Sequence, residues 1–406
     1  MIAHQPSTLA RPQQMAPLAT GAPCPALDPA AIRQRLYRLL AAHLSEQRRL
    51  REAVNADARS TESDTVYRKV ENTAHRQALA IIEEMGLHNS AAAWTLVGSL
   101  LRQHSFHTEI LLQSEFIRHA LRKPRGYAGD SDLMNIIYAN ADRGSNAFAI
   151  LTNRVYQSLP AAEAVRQRSR AIESLLRALP AGSRILNLAC GPAREVAAWL
   201  PTAPDSTQID LFDHDIKTVA LARRVLADSR VRHLVGNAFQ IIKGNLRVAE
   251  PRSALLSWCD PVRDFRSVRA FVAPIKYRLS ELKKCSYDLI YSAGLYDYIE
   301  HFPENPERGT IGLTKRLFDL LRPGGRLLIG NFLSPGVPGN PHRLHHRGMM
   351  EWYSDWNLLY RTWHDVREFA SAVPNGQFAL RELNEGLDDA RGRPACVGFL
   401  EVTRLV

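Results

Sequence analysis

Cysteine is sparse in this chain, and what there is does not pair by spacing. Cys24, Cys190, Cys259, Cys285 and Cys396 are odd in number and far apart, which argues against a disulfide framework. No two have the spacing of zinc ligands, so no metal site is expected. Apolar runs long enough to cross a membrane, about 18 residues, are missing, as is a signal-type apolar stretch at the N-terminus. Reduced cysteines and no span make the cytoplasm the expected location. Aromatic residues are only 8% of the chain, and no Lys/Arg stripe interleaves with them although the net charge is +11. An Asn/Asp-Pro-Pro-aromatic signature is also missing. Nucleic acid is therefore disfavoured as a partner, and the arginine-rich excess reads as solubility or attraction for an acidic small molecule. There is no internal repeat.

The remaining composition, 45% hydrophobic and 23% charged over 406 residues, is that of a globular protein larger than one average domain. Residues 1–27 are rich in proline and small polar residues and are expected to be disordered. From Asp28-Pro29, an N-cap followed by proline, the apolar residues recur at helical spacing: Ile32, Leu36, Leu39, Leu40 and Leu44. Further helices are predicted over 63–86, 90–121 and 132–140. No strand pattern of any strength precedes residue 184, so 28–160 is expected to be an all-helical substrate or lid domain.

From Arg184 short apolar runs alternate with helices, the rhythm of a parallel sheet with crossovers. Strands are predicted at 184–189, 207–212, 231–236, 287–292 and 325–332. An antiparallel C-terminal hairpin is predicted from 377–382 and 395–403. Residues 161–406 would form this domain, with an insertion carrying its own helices near 244–283. An aromatic helix is expected from about Met349 to Arg361.

The turn Ala189-Cys-Gly-Pro192 after the first strand, followed by an amphipathic helix, is where α/β proteins hold nucleotide-like ligands. Gly191 permits close approach of the ligand, and Pro192 suits a helix start. Asp213 ends the second strand and can accept two hydrogen bonds from vicinal ribose hydroxyls; Asp215 is the better helix cap. Asn237 offers an amide to an adenine edge or simply shapes a turn, with Ala238 beside it. Ala193 and the missing first glycine break the Gly-x-Gly-x-x-Gly dinucleotide fingerprint, so S-adenosylmethionine (SAM) is the better ligand. Ser292, Tyr296, Asp297, Tyr298 and His301 follow the fourth strand, on the edge where ligand meets chemistry. Of these, His301, Asp297 and Tyr296 are the catalytic candidates.

Residues 184–332 resemble class I SAM-dependent methyltransferases in the order of glycine turn, acidic second strand, Tyr287-Asp-Leu-Ile290 and Pro323-Gly-Gly325. Lys123-Pro-Arg-Gly-Tyr-Ala-Gly-Asp130, Cys190-Gly-Pro-Ala-Arg-Glu195, Ser292-Ala-Gly-Leu-Tyr-Asp-Tyr298 and Trp356–Arg361 extend the likeness. The extended likeness is to a bacterial subfamily with a helical N-terminal domain, some members of which are assigned to making methyl esters of 3-hydroxy fatty acids. The resemblance implies a Rossmann-like, mostly parallel α/β sheet with SAM as cofactor and a small-molecule or fatty-acid-derived substrate. It implies a lid around Arg125 and Tyr127, with Tyr127 against donor or substrate and Arg125 on an acidic group. Tyr138, Tyr298, Asn331, Tyr353, Trp356, Tyr360 and Arg361 would line the substrate pocket. Three departures stand out: Asn187 where an acid is usual, and Ala189 and Ala193 where glycines are usual, a change expected to tighten the turn. An N- or O-methyltransferase of a natural product, an RNA methyltransferase, a SAM-binding regulator and a dehydrogenase are the competing readings.

Overall fold

The computed structural model describes residues 28–57, 59–87, 90–251, 277–374, 376–383 and 394–405. The expected disorder of 1–27 and the helices within the insertion lie outside the described residues. The chain forms two compact units, each discontinuous in sequence. Of the described residues, the helical unit takes those from 28 to 128, 140–158 and 344–357; the sheet unit takes those within 129–139, 159–343 and 358–405. This is not a single cut near residue 160. The helix Ser131–Ala139 and the helix Pro160–Arg177 both belong to the sheet unit.

In the helical unit, Pro29–Ala56 is capped by Asp28, whose carboxylate accepts from the Ala30 amide at 2.9 Å. Asp64–Met85 is capped by Ser63 and closed by left-handed Gly86, as helix C-termini commonly are. The single helix expected over 90–121 is instead four short pieces: Ala91–Gln103, Ser105–Glu109, Leu111–Gln113 and Glu115–Arg122. His104 and Ser114 cause two of the three breaks. Each takes extended backbone and its side chain caps the next piece, accepting from Phe106 and Ile117 amides. The aromatic helix expected to Arg361 is also shorter: Leu344–Gly348 runs into a π-turn at Met349–Tyr353, and no helix follows until Trp363.

Among the described residues the sheet unit carries nine strands. They are β1 (Arg184–Leu188), β2 (Gln208–Asp213), β3 (Val231–Val235), β4 (Arg247–Pro251), β5 (Tyr277–Glu281), β6 (Tyr287–Ser292), β7 (Leu321–Phe332), β8 (Phe378–Leu383) and β9 (Val397–Arg404). Their order is β5-β4-β3-β2-β1-β6-β7-β9-β8. The five strands from β3 to β7 through β1 are parallel, and β9-β8 is an antiparallel hairpin against β7. This is the mostly parallel, Rossmann-like sheet with an antiparallel C-terminal hairpin that the strand pattern predicts. The ends of the expected insertion are strands too, since β4 and β5 pair antiparallel and extend the sheet past β3. Both faces of the parallel strands are covered, so they read as near-continuous apolar runs. Leu186, Leu188, Phe212, Leu234, Ile290, Leu327 and Ile329 form the centre of one core with Leu313 and Leu317 of helix Gly309–Leu320. The Pro323-Gly-Gly325 turn lies within β7 as a bulge, where pairing jumps from Tyr287–Leu321 to Leu289–Arg326.

Candidate active site

Because β3, β2, β1, β6 and β7 run parallel, Ala189, Asp213, Gly236, Ser292 and Phe332 all come out at one edge of the sheet. That edge is the crevice where open α/β sheets bind ligands. The turn after β1 is built from three left-handed residues at alternate positions: Ala189 (φ 58°), Gly191 (φ 52°) and Ala193 (φ 47°). The alanines take the conformation that glycine would, so the path of the turn is kept rather than tightened. A side chain on Gly191 would meet nothing within 4 Å, which leaves open space directly above the turn. Ala193 is the N-cap of the helix Arg194–Trp199, so Pro192 precedes the cap instead of opening the helix. The left-handed Ala193 stands between Pro192 and the helix, so helical geometry begins only after it.

An alanine in the left-handed region costs roughly 1 kcal/mol, and glycine there gives back a comparable amount through its freer unfolded chain. Ala189→Gly is therefore expected to change stability by no more than about 0.5 kcal/mol, against a loss of about 1 kcal/mol for the same change in a helix interior. Chemical denaturation measures this, and a loss above 1 kcal/mol at position 189 would contradict the strained geometry.

Asp213 braces the turn from below. It is buried, its Oδ2 accepts from the Gly191 amide at 3.0 Å, and its Oδ1 accepts from the Asp215 amide at 3.0 Å. Asp215 caps the helix Ile216–Val225 through Lys217 at 2.9 Å and accepts from the Thr218 hydroxyl. Thr218 in turn meets the Ser131 hydroxyl at 2.8 Å. The end of the Arg125–Asp130 motif is thereby anchored beside β2, with Asp130 capping Ser131–Ala139 through Leu133. Asn237 caps Ala238–Ile242 through Phe239 at 2.8 Å, the turn-shaping role among its two readings, and Ala238 is buried at that helix's start. Ser292 is fully buried at the end of β6, and its hydroxyl has no hydrogen-bond partner in the structure. A buried hydroxyl left unpaired at a ligand edge wants a partner.

The three catalytic candidates are all engaged. Tyr296 is buried in the core with its hydroxyl on Thr314 at 3.0 Å. His301 meets Thr310 through Nδ1 at 2.8 Å and Glu368 through Nε2 at 3.0 Å. Asp297 accepts from the Phe332 amide at 2.7 Å, and burial pushes its carboxyl up to about 7. Arg361 is likewise committed. Its guanidinium donates to the Tyr296 and Ile299 carbonyls and to Asn331 Oδ1, while Asn331 donates to the Phe332 and Leu359 carbonyls. Arg361 and Asn331 therefore fix the loop after β6 against the loop after β7. Tyr298 is partly exposed beside them, and Tyr360 stacks on His342.

Two buried charged residues here, Glu195 and Arg168, escape a sequence reading. Glu195 is buried, accepts from Asn187 Nδ2 at 3.1 Å and from the Tyr291 hydroxyl at 2.9 Å, and burial raises its pKa. Arg168 of Pro160–Arg177 is buried 3.8 Å from Asp297 and lies over the Phe332 ring. Tyr138 hydrogen-bonds Arg168 and Ser169, and burial pushes its hydroxyl up to about 12. A side chain at Gly294 would come within 2.9 Å of the Arg168 guanidinium, so glycine at that position makes room for the arginine. An arginine on an amphipathic helix gives no sign of burial, and only Asn187 in place of an acid hinted at a rearranged charge. Cys190 is buried with its thiol pushed well up, in keeping with packing rather than reactivity.

Arg125, Tyr127, Tyr353 and Trp356 belong to the helical unit. Tyr353 and Trp356 are buried there, Trp356 against Phe116 and Tyr353 against Phe106 and Tyr156. No helix among the described residues is long and apolar enough to cross a membrane.

No family model matches this chain. It is 27% identical over 143 residues to the uncharacterized protein YnbC of Escherichia coli K12, a stretch that covers 32% of this chain and 24% of that protein. The chain thus spans about a quarter of that relative's length. Among solved structures it is similar to a possible exported protein from Bordetella parapertussis (18% identity, TM-score 0.47, 84% of this chain and 97% of that one). It is also similar to a SAM-dependent methyltransferase from Mesorhizobium loti (15%, TM-score 0.35, 57% and 96%). A third is the 1,6-didemethyltoxoflavin-N1-methyltransferase of Burkholderia thailandensis, solved with S-adenosylhomocysteine (16%, TM-score 0.33, 59% and 79%).

Proposed function

We propose that this protein is a SAM-dependent methyltransferase acting on a small-molecule or lipid-like metabolite, and that it methylates a carboxylate to an ester. The observation that carries the donor is the turn Ala189–Ala193: three left-handed residues, open space above Gly191, and a buried carboxylate beneath it. Such a turn accepts a ligand's backbone-sized approach, and the second lone pairs of Asp213 suit ribose hydroxyls. The unpaired Ser292 hydroxyl and the Asn237 amide would complete the contacts. SAM supplies an already activated methyl group on a sulfonium, so the protein must mainly orient the acceptor and exclude water.

The ester reading is favoured by the state of the three candidates for a base. His301, Asp297 and Tyr296 are each spent on neighbouring groups of the sheet unit. A carboxylate acceptor needs no base, whereas a hydroxyl or amine is helped by one. The likeness of the Lys123–Asp130 motif proposes Arg125 for the arginine that would orient that carboxylate.

Incubation of the protein with methyl-labelled SAM and fractionated bacterial lysate tests this reading. Label is expected in the small-molecule or lipid fraction and should be released by mild base, as an ester is. Base-stable label there would assign an N- or O-ether product instead. Label in RNA would overturn the metabolite assignment, and no transfer together with tight SAM binding would indicate a regulator.

A further inference from the structure

We infer that the helical unit holds a divalent transition-metal ion between His75, His345 and His346. His75 lies on Asp64–Met85, and the two others open Leu344–Gly348; both helices belong to the same unit. The three offer ring nitrogens that all lie within 4.8 Å of one another. The His75 ring stands edge-on to both others, with centroids 5.4 Å from His345 and 5.1 Å from His346. Imidazole nitrogens bound to Zn²⁺ at about 2.0–2.1 Å lie roughly 3.3 Å from each other, so small side-chain rotations bring this triad onto an ion.

A second observation points the same way. His75 Nδ1 is buried with no hydrogen-bond partner. The charged groups around the triad are paired among themselves: Glu71, one turn earlier on the same helix, with Arg68, Arg76 with Glu46, and Arg347 with Glu351. Three imidazoles and an open position suit Zn²⁺, Ni²⁺ or Cu²⁺ rather than Mg²⁺ or Ca²⁺. Such an ion would clip 344–357 to the helix 64–85, two stretches distant in sequence. No short-range spacing could announce this site, because its ligands come from opposite ends of the chain.

The test uses the untagged full chain, stripped with chelator and titrated with Zn²⁺ and with Ni²⁺ by calorimetry. One ion per chain and a raised Tm are expected. His75→Ala and His345→Ala should each weaken binding at least about tenfold, while His364→Ala, an exposed histidine elsewhere, should leave it unchanged. Circular dichroism reports whether each variant folds. If one does not, Co²⁺ added to the wild type decides: a tetrahedral or five-coordinate nitrogen-ligand absorption band supports the site. The plain aqua-ion spectrum, absence of saturable Zn²⁺ and Ni²⁺ binding, or unchanged affinity in folded His75 and His345 variants would overturn it.

Discussion

Asp213→Ala is expected to weaken SAM binding by at least about a hundredfold, the loss of two hydrogen bonds from hydroxyls to a charged acceptor at about 1.5–3 kcal/mol each. The same substitution removes the brace under Gly191 and Asp215, so unfolding stability should fall by about 1–3 kcal/mol as two amides lose their acceptor. Asp213→Asn separates these effects. It keeps an acceptor oxygen for one of the two amides and sets an NH₂ against the other, so part of the brace survives while the charge that would serve the ribose is lost entirely. Calorimetry with SAM and urea unfolding, run on both variants, read the two quantities. Unchanged SAM affinity in Asp213→Ala would remove the ribose assignment and with it the main support for the donor edge.

Asp297→Asn should become progressively more stable than the wild type as pH rises. Burial lifts the Asp297 carboxyl to about 7, against about 3.9 in the unfolded chain. A raised carboxyl pKa favours folding fully below the unfolded value, and that advantage is lost as pH climbs from about 4 through 7. Three pKa units correspond to about 4 kcal/mol, an upper estimate for the change in the difference between variant and wild type. The amide keeps the acceptor for Phe332, so geometry is preserved. The attraction between Arg168 and an ionised Asp297 is already contained in that raised pKa, so its loss in the amide adds no separate pH dependence. The slope is therefore the quantity to read, from urea unfolding of both proteins between pH 4 and 8. Parallel curves would show that Asp297 is ionised throughout.

Much of the sheet unit was legible because its signals are local. The runs 184–189, 207–212, 231–236 and 287–292 are strands since buried parallel strands are apolar throughout, and turn residues mark their ends. Asp28, Ser63 and Asp215 cap their helices through side chains two or three residues from the amides they serve. Where competing caps sit inside an apolar pattern, as at His104 and Ser114, periodicity misleads and one long helix becomes four short ones. Pairing between distant strands was less accessible. That β4 and β5 extend the sheet, or that Pro323-Gly-Gly325 becomes a bulge, depends on partners far along the chain.

By itself the sequence determined that a strand, a glycine-containing turn and a helix meet at 184–199, with an acid at the next strand's end, because each depends on residues a few positions apart. It also determined the likeness to methyltransferases, carried by the order of those segments. Tertiary structure decided which charges are buried and what holds them: Glu195 on Asn187 and Tyr291, Arg168 against Asp297, Arg361 across two loops. It also moved Leu344–Asn357 into the helical unit and so brought His345 and His346 to His75. Burial and long-range contact arise only when the chain closes on itself, and no window of neighbouring residues contains them.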